Sequence, residues 1–410
     1  MKILIVSQYF WPENFKINDL ASELYLLGHE ITVLTGYPNY PDGNVYSAFQ
    51  ANPKSFKKYN GVNVLRVPII TRGQNNFKLI LNYISYVLSA SFLGLWKLRK
   101  KNFDIIFVFE PSPITVGLPA ILFKKIKNAK IIFWTLDLWP ETLQVLGIIK
   151  SNYSIKFFSS LTKFIYKRSD LILGQSKGFV HQIKKYCEDH EKIKYFPSWA
   201  ESVYLDEAAV FAPEVEYRKD LFNVVFAGNI GEAQDFPAIL DAAENLKYEK
   251  IRWIILGSGR LYDWVKDEIT KRGLESSVLL LGQFPINRMP SFYKHAQALL
   301  VTLKSDKNLS LTIPGKLQSY LVSGIPILGM LNGEGANVII EAQAGIVTPA
   351  GNGIYLANSI KKMSKMSVSK RNEMVLNAKN YVKTEFDRDK LIKLLESWMI
   401  EYSDNNIPKN

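Results

Sequence analysis

The sequence predicts an α/β protein made of two successive units, each a parallel sheet wound on both sides by helices. Three observations carry this. Short apolar runs alternate with stretches of helical periodicity from Ile3 to Val347. The alternation pauses after Glu201 and restarts at Phe222, which divides the chain into stretches of about 200 residues each. Carboxylates and turn residues follow directly on several runs, at the sheet edge where open α/β folds bind ligands.

Composition narrows the function. The single cysteine, Cys187, excludes a disulfide framework and a thiolate metal cluster. The opening MKILIVSQYF is strand-like and lacks a cleavable signal pattern, so the expected location is cytoplasmic. The formal charge of +13 is uneven: residues 1–200 hold 26 Lys/Arg against 13 Asp/Glu, and residues 201–410 hold 25 of each. A basic N-terminal half suits a nucleic acid, an anionic membrane or a polyphosphate ligand.

In the first half, Ile3–Val6 reads as a buried strand. A helix follows, with Ile17, Leu20, Ala21, Leu24 and Leu27 on one face and Gly28 as its stop. Ile31–Leu34 completes a βαβ unit, but the first loop lacks the GxGxxG pattern of a dinucleotide site. Gly36–Gly43 is a turn-rich loop after a strand, either a surface connection or part of a site. Val62–Val67 is a further strand. Residues 77–96 carry one charge, Lys78, and are followed by Lys97, Arg99, Lys100 and Lys101. That stretch is nearly long enough to span a bilayer. Asn82, Ser85, Ser89 and Ser91 favour instead a helix lying on the sheet with one face toward a membrane. Strands Ile105–Phe109 and Ile131–Trp134 end in Glu110 and in Asp137–Glu141. Asp137 and Glu141 read either as helix caps or as acceptor-binding groups. Residues 150–168 interleave Lys150, Lys156, Lys163, Lys167 and Arg168 with Phe157, Phe158, Leu161, Phe164 and Ile165. No nucleic-acid motif accompanies them, so anionic lipid is the expected partner and nucleic acid is not.

In the second half, residues 202–221 read as a linker. The strands expected are Val224–Phe226, Ile254–Leu256, Val278–Leu281, Ala298–Val301, Ile325–Leu328 and Gly345–Val347, with a helix over Pro237–Leu246. The chain is organised around Leu299–Gly335. Here a strand, a polar loop and a helix opened by Pro314 and stopped by Gly324 lead into another strand. Lys316 falls in the first helical turn, where the dipole disfavours a cation. An anion seated there would explain it, with Lys304 after the preceding strand as a second cation. An ordinary βαβ unit with solvated lysines is the other reading. The tail 387–399 is helical and carries Leu391, Leu394, Leu395 and Trp398 to pack back on the protein.

The motifs Ser7–Asn14, Asn18–Leu20, Leu34–Pro41, Phe109–Pro113, Asp137–Glu141, Phe226–Asp235, Met289-Pro290, Thr312–Tyr320 and Gly333–Ala336 run in order along the chain. Together they resemble one branch of the family-4 retaining glycosyltransferases, bacterial enzymes of O-antigen, capsule and colanic acid assembly that include L-fucosamine (FucNAc) transferases. The resemblance implies a GT-B fold: two Rossmann-like, doubly wound parallel-sheet domains facing a central cleft. Residues 1–200 would bind acceptor and membrane, 201–385 the nucleotide sugar, and 386–410 would pack back across the domains. The family's paired glutamates match Leu311 and Ser319, and its diphosphate-binding cations match Asn229 and Gln234, so this chain lacks all four.

The resemblance implies transfer of an N-acetylamino-deoxy sugar, L-FucNAc by expectation, from a UDP-sugar to a sugar, GlcNAc by expectation, on a polyprenyl diphosphate. The cations that neutralise the departing diphosphate would be Lys316 and Lys304 with the helix N-terminus, and no metal or other cofactor is expected. Donor contacts are assigned to Asn229, Ile230, Gly231, Gln234, Asp235, Thr312, Gln318, Glu334, Gly335 and Ala336. Acceptor contacts are assigned to Trp11, Glu13, Asn14, Asn39, Tyr40, Glu110 and Trp139. Asp137 or Glu141 is the candidate general base. His29, His181, His190 and His295 are expected to be structural. The expected location is peripheral, on the cytoplasmic face of the inner membrane. A UDP-N-acetylhexosamine epimerase of the same fold and a non-catalytic membrane scaffold are the competing readings.

Overall fold

The computed structural model describes residues 1–404 apart from 42, 74–75, 146–147, 150 and 206–207. Asp42 and Lys150, both within stretches singled out above, therefore lie outside the described residues. The chain forms two compact units: Met1–Phe196 with Asp389–Asn410, and Pro197–Arg388.

Among the described residues unit 1 holds eight strands: β1 (Lys2–Val6), β2 (Glu30–Gly36), β3 (Lys58–Tyr59), β4 (Val62–Val67), β5 (Ile105–Glu110), β6 (Lys130–Thr135), β7 (Leu171–Gly174) and β8 (Ile193–Tyr195). Their order is β3-β4-β2-β1-β5-β6-β7-β8. The pairings are parallel except β3 with β4. β5 is buried along its whole length and β1 beyond Lys2, which is why they read as unbroken apolar runs. The order turns back between β1 and β5, and that switch point is where a doubly wound sheet opens for ligand. Periodicity does not reveal β3 or β8: one has two residues, the other is a three-residue Ile-Lys-Tyr.

The helix Lys16–Leu26 buries Ile17, Leu20, Ala21 and Leu24 and ends before Gly28, whose φ of 90° is a turn only glycine takes easily. The apolar stretch beginning at Asn76 is helical through Leu98, with a π-turn at Ala90–Gly94. By length and composition Phe77–Leu98 could cross a membrane. In the fold it lies on the sheet through Asn82, Tyr86, Ala90, Gly94 and Leu98, one inward stripe at four-residue steps. A Cβ at Gly94 would come within 2.9 Å of Leu34, so the helix sits directly on β2. Phe77, Ile80, Ile84, Leu88, Phe92 and Trp96 form the opposite, exposed stripe. The helix Asn152–Arg168 is capped by Ser151, which accepts from Ser154 N–H. It exposes Tyr153, Phe157 and Phe164. The tail helix Arg388–Asp404 packs in unit 1, through His29 Nε2 with Glu396 at 2.8 Å and Trp398 against Phe196 and Lys194.

Unit 2 holds β9 (Phe222–Ala227), β10 (Ile251–Leu256), β11 (Val278–Gly282), β12 (Ala298–Thr302), β13 (Ile327–Met330) and β14 (Gly345–Thr348). They are parallel, in the order β11-β10-β9-β12-β13-β14. This is the dinucleotide-fold order, with the switch point between β9 and β12. Residues 202–221 are not a free linker. Ala212 and Val215 are buried in the unit's core, Tyr204 stacks on Tyr293 at 5.9 Å, and Glu214 pairs with Arg288 at 2.8 Å. An apparently mixed-charge stretch had hidden two small core contacts.

Candidate active site

The switch point of unit 2 is one tightly bonded corner. β9 ends in Ala227, and the chain then turns through Gly228-Asn-Ile-Gly231. Gly228 N–H donates to the Leu256 carbonyl and Ile230 N–H to that of Ser258. Both Gly228 and Gly257 have positive φ, and a Cβ at Gly257 would strike the Gly228 carbonyl at 1.8 Å, so the ends of β9 and β10 approach this closely because residue 257 is glycine. From the other side, Lys304 N–H donates to Ala233 O (2.8 Å) and the Thr302 hydroxyl to Gln234 O (2.6 Å).

The helix Gly315–Ser323 is clamped beneath this corner. Its Tyr320 hydroxyl accepts from Ala227 N–H at 3.0 Å. Its Lys316 reaches back under Gly228, with Nζ 3.6 Å from the centre of the Phe226 ring. The ammonium is buried and has no hydrogen-bond partner among the described residues. Burial alone pushes it down from the ordinary 10.5 to about 7. A Cβ at residue 228 would lie 2.8 Å from Nζ, an ammonium–oxygen hydrogen-bond distance, and glycine leaves that space empty. Lys316 is thus not the solvated first-turn lysine of an ordinary βαβ unit.

The other expected donor residues divide into two groups. Asn229 is exposed, and Gln234, Asp235, Thr312 and Glu334 are half-buried around the same strand ends. Lys304 is exposed, and its charge draws the Asp235 carboxyl down, although burial pushes that carboxyl up by more. Ile230, Gly231, Gly335 and Ala336 are buried, so they offer backbone at most. A Cβ at Gly335 would sit 2.9 Å from Pro314, which brings the start of the helix Glu334–Glu341 against the start of Gly315–Ser323. Gln318 corrects its assignment. It is buried, and its amide N–H₂ donates to the Pro314 and Gly315 carbonyls at 3.1 and 3.0 Å, closing its own helix rather than facing a sugar or ribose. The Gln234 amide is likewise spent, on the carbonyls of Gly231 and Asn229, both at 3.2 Å.

At the corresponding edge of unit 1 several expected acceptor residues prove to be scaffold. Glu13 is buried and its carboxylate accepts from the N–H groups of Phe10 (3.1 Å), Asn39 (2.8 Å) and Tyr40 (2.8 Å). It staples the loop after β1 to the loop after β2. Asn39 is also buried, donating to Tyr37 O and accepting from Arg72 N–H. Glu110 is enclosed and its carboxyl is pushed well up, by burial first and by Asp137 second. Glu141 accepts on one oxygen from Gln182 at 2.5 Å and Tyr186 at 2.6 Å, at and just past the helix Lys177–Ile183. Trp139 is buried, and its indole N–H holds Asp137 at 3.2 Å and Ser112 at 3.3 Å.

What remains available is Asp137, Tyr40, Trp11 and Asn14. Asp137 accepts from Leu138 N–H and from the Thr142 hydroxyl at 2.5 Å; burial nevertheless raises it above the ordinary carboxylate value. Trp11 stacks on Phe56 and Tyr59, and Asn14 is exposed. The structure adds three residues that sequence reasoning missed: Tyr9, Arg72 and Tyr83. The Arg72 guanidinium lies 5.3 Å from the Tyr40 ring and bonds to the Tyr9 hydroxyl, and Tyr83 bonds to Ser112 beside Asp137. A lone arginine a few residues past β4 was the available signal.

Residues 211–381 match the family described as Glycosyl transferases group 1. The chain is 24% identical over 366 residues to WcaI of Escherichia coli K12, a protein assigned to colanic acid biosynthesis as a glycosyl transferase, covering 84% of both chains. Among solved structures, it superposes on a glycosyltransferase from Rickettsia africae with a TM-score of 0.71, at 15% identity and over 99% of each chain. It also superposes on Anabaena Alr3699/HepE in complex with UDP and glucose, with a TM-score of 0.69, at 14% identity over 98% of this chain and 99% of that one. The chain is a glycosyltransferase of the GT-B fold, with two doubly wound parallel-sheet units of which the second is similar to the group 1 family.

Proposed function

We propose that the enzyme transfers an N-acetylamino-deoxy sugar, L-FucNAc in the narrowest form, from a UDP-sugar to a sugar, GlcNAc in the same form, carried on polyprenyl diphosphate. The observation that carries the donor half is the unpartnered Lys316 ammonium beneath Gly228 at the unit 2 switch point. A diphosphate is the chemistry that suits a cation, a glycine gap and two helix starts in one corner. UDP is bound in the Anabaena structure, and the E. coli relative is assigned to colanic acid biosynthesis, which supports this substrate class.

In this reading the acceptor hydroxyl oxygen bonds to the anomeric carbon as the bond from that carbon to the β-phosphate oxygen breaks. The proton passes to the departing phosphate or to Asp137. Lys316, Lys304 and the helix N-termini take the negative charge, and no metal is required. Configuration is retained, as the family resemblance implies. The exposed stripe Phe77–Trp96, flanked by Lys97, Arg99, Lys100 and Lys101, would rest on the anionic cytoplasmic face of the inner membrane and present the lipid acceptor.

The test is a screen of UDP-sugars against a lipid-diphosphate GlcNAc acceptor, read by mass, with and without EDTA. A new glycolipid that forms equally with EDTA supports the reading. An epimerised UDP-sugar formed without acceptor would replace it with the epimerase, and a melting temperature indifferent to UDP would remove the donor site.

A further inference from the structure

Resting on that donor-site reading, we infer that Lys316 is a proton-linked anion receptor: a neutral amine while the corner is empty, it takes up one proton from solvent as a diphosphate seats over Gly228. The geometry supplies three reasons. Nζ is buried without an acceptor, so the charged form is unsupported in the empty site. Among the described residues the ammonium faces the Phe226 ring at 3.6 Å, a contact that does not supply a hydrogen-bond acceptor. The space left by Gly228 lies at hydrogen-bond distance from Nζ, so an anion's oxygen placed there would supply the missing acceptor.

The charged residues on the flanking elements are Glu232 and Asp235 after β9, Arg260 after β10, Lys304, Asp306 and Lys307 after β12, and Glu334 at the next helix start. None of them displaces the amine; burial alone does, lowering it to about 7. A diphosphate brings two or more negative charges against it and reverses that displacement.

The experiment is titration calorimetry of UDP into the full-length protein at pH 8.0, in buffers of different ionisation enthalpy. At this pH the terminal phosphate of UDP is fully ionised, since its second pKa is about 6. The expected result is uptake of close to one proton per UDP bound. Affinity should weaken about tenfold per pH unit from pH 7.5 to 9. Lys316→Arg, charged at every pH, should bind without uptake; Lys316→Gln should bind weakly without uptake. UDP binding by the wild type with no proton uptake overturns the inference and leaves the donor site standing. Uptake that persists in Lys316→Gln assigns the proton to another group and also overturns it. No UDP binding at all removes the donor-site reading and the inference together. If both variants fail to fold, absence of uptake by the wild type still overturns the inference.

Discussion

Replacing Lys316 by Met should stabilise the ligand-free enzyme while abolishing its turnover. The methionine side chain fills nearly the same volume beneath Gly228 and carries no charge to desolvate. Lowering the amine from 10.5 to about 7 costs the folded state at most about 5 kcal/mol at pH 6, at about 1.4 kcal/mol per pH unit of displacement. The sign follows from proton counts. Between about 7 and 10.5 the unfolded chain holds a proton that the folded one does not, so wild-type stability rises with pH in that window and the cost shrinks to about 2 kcal/mol by pH 9. The advantage of Lys316→Met should therefore fall by about 3 kcal/mol between pH 6 and pH 9. For a unit near 190 residues that is a change of about 6–12 °C in the Tm difference. Thermal melts of both proteins without ligand, at the two pH values, measure it. A Tm difference that does not change with pH, or a methionine variant less stable than wild type at pH 6, would show that the ammonium is neither buried nor unpartnered.

Three further outcomes are expected. Glu13→Ala leaves three loop N–H groups without their acceptor, so urea denaturation should show a loss of about 3 kcal/mol or more, with Glu13→Gln milder. Phe92→Glu and Trp96→Glu alter side chains that are 71% and 62% exposed, so the fold should persist by circular dichroism while pelleting with anionic liposomes is lost. Wild-type pelleting equal on neutral liposomes at high salt would count against the basic flank. Asp137→Asn should lower turnover about 10²-fold or more if the carboxylate takes the acceptor proton. Only the ionised form can do so, so wild-type activity should be present at high pH and fall as pH drops through a value raised above 3.8, a limb the variant lacks.

The fold class was legible because parallel strands buried on both faces leave continuous apolar runs, and Phe222–Ala227 or Ile105–Glu110 can hardly be read otherwise. The stripe of Asn82, Tyr86, Ala90, Gly94 and Leu98 was legible for the same reason: period decides which face turns inward. Individual carboxylates were not. Glu13, Glu110 and Glu141 all follow or end strands, where a site is expected, yet Glu13 and Glu141 accept hydrogen bonds from distant parts of unit 1 and Glu110 is enclosed in it. The partners of Glu13 at Asn39 and Tyr40 lie 26 and 27 residues away, and those of Glu141 over 40 away. Arg72 escaped notice because its meaning rests on tyrosines at 9, 40 and 83. The sequence puts Lys316 in the first turn of the helix Gly315–Ser323, but four methylenes let an ammonium point outward or inward equally well, and the Phe226 ring and the gap at Gly228 give the direction.

That inward direction bears on how one lysine could stand in for absent cations. Where the family resemblance leads one to expect loop cations, this chain has Asn229 and Gln234, and Gln234 closes the loop with neutral hydrogen bonds. A cation on such a loop faces water, where an ion pair at 4 Å is worth about 1 kcal/mol. In a partly enclosed site the same pair is worth about 4 kcal/mol. Moving the charge from the loop to the floor of the corner thus multiplies the attraction for a bound anion several-fold and removes the need for a second buried cation. The same enclosure penalises the charge when no anion is present. An enzyme built this way gains strength at the donor site and becomes sensitive to pH in the range where a loop arginine would not be, and that sensitivity is the property that distinguishes the two arrangements by experiment.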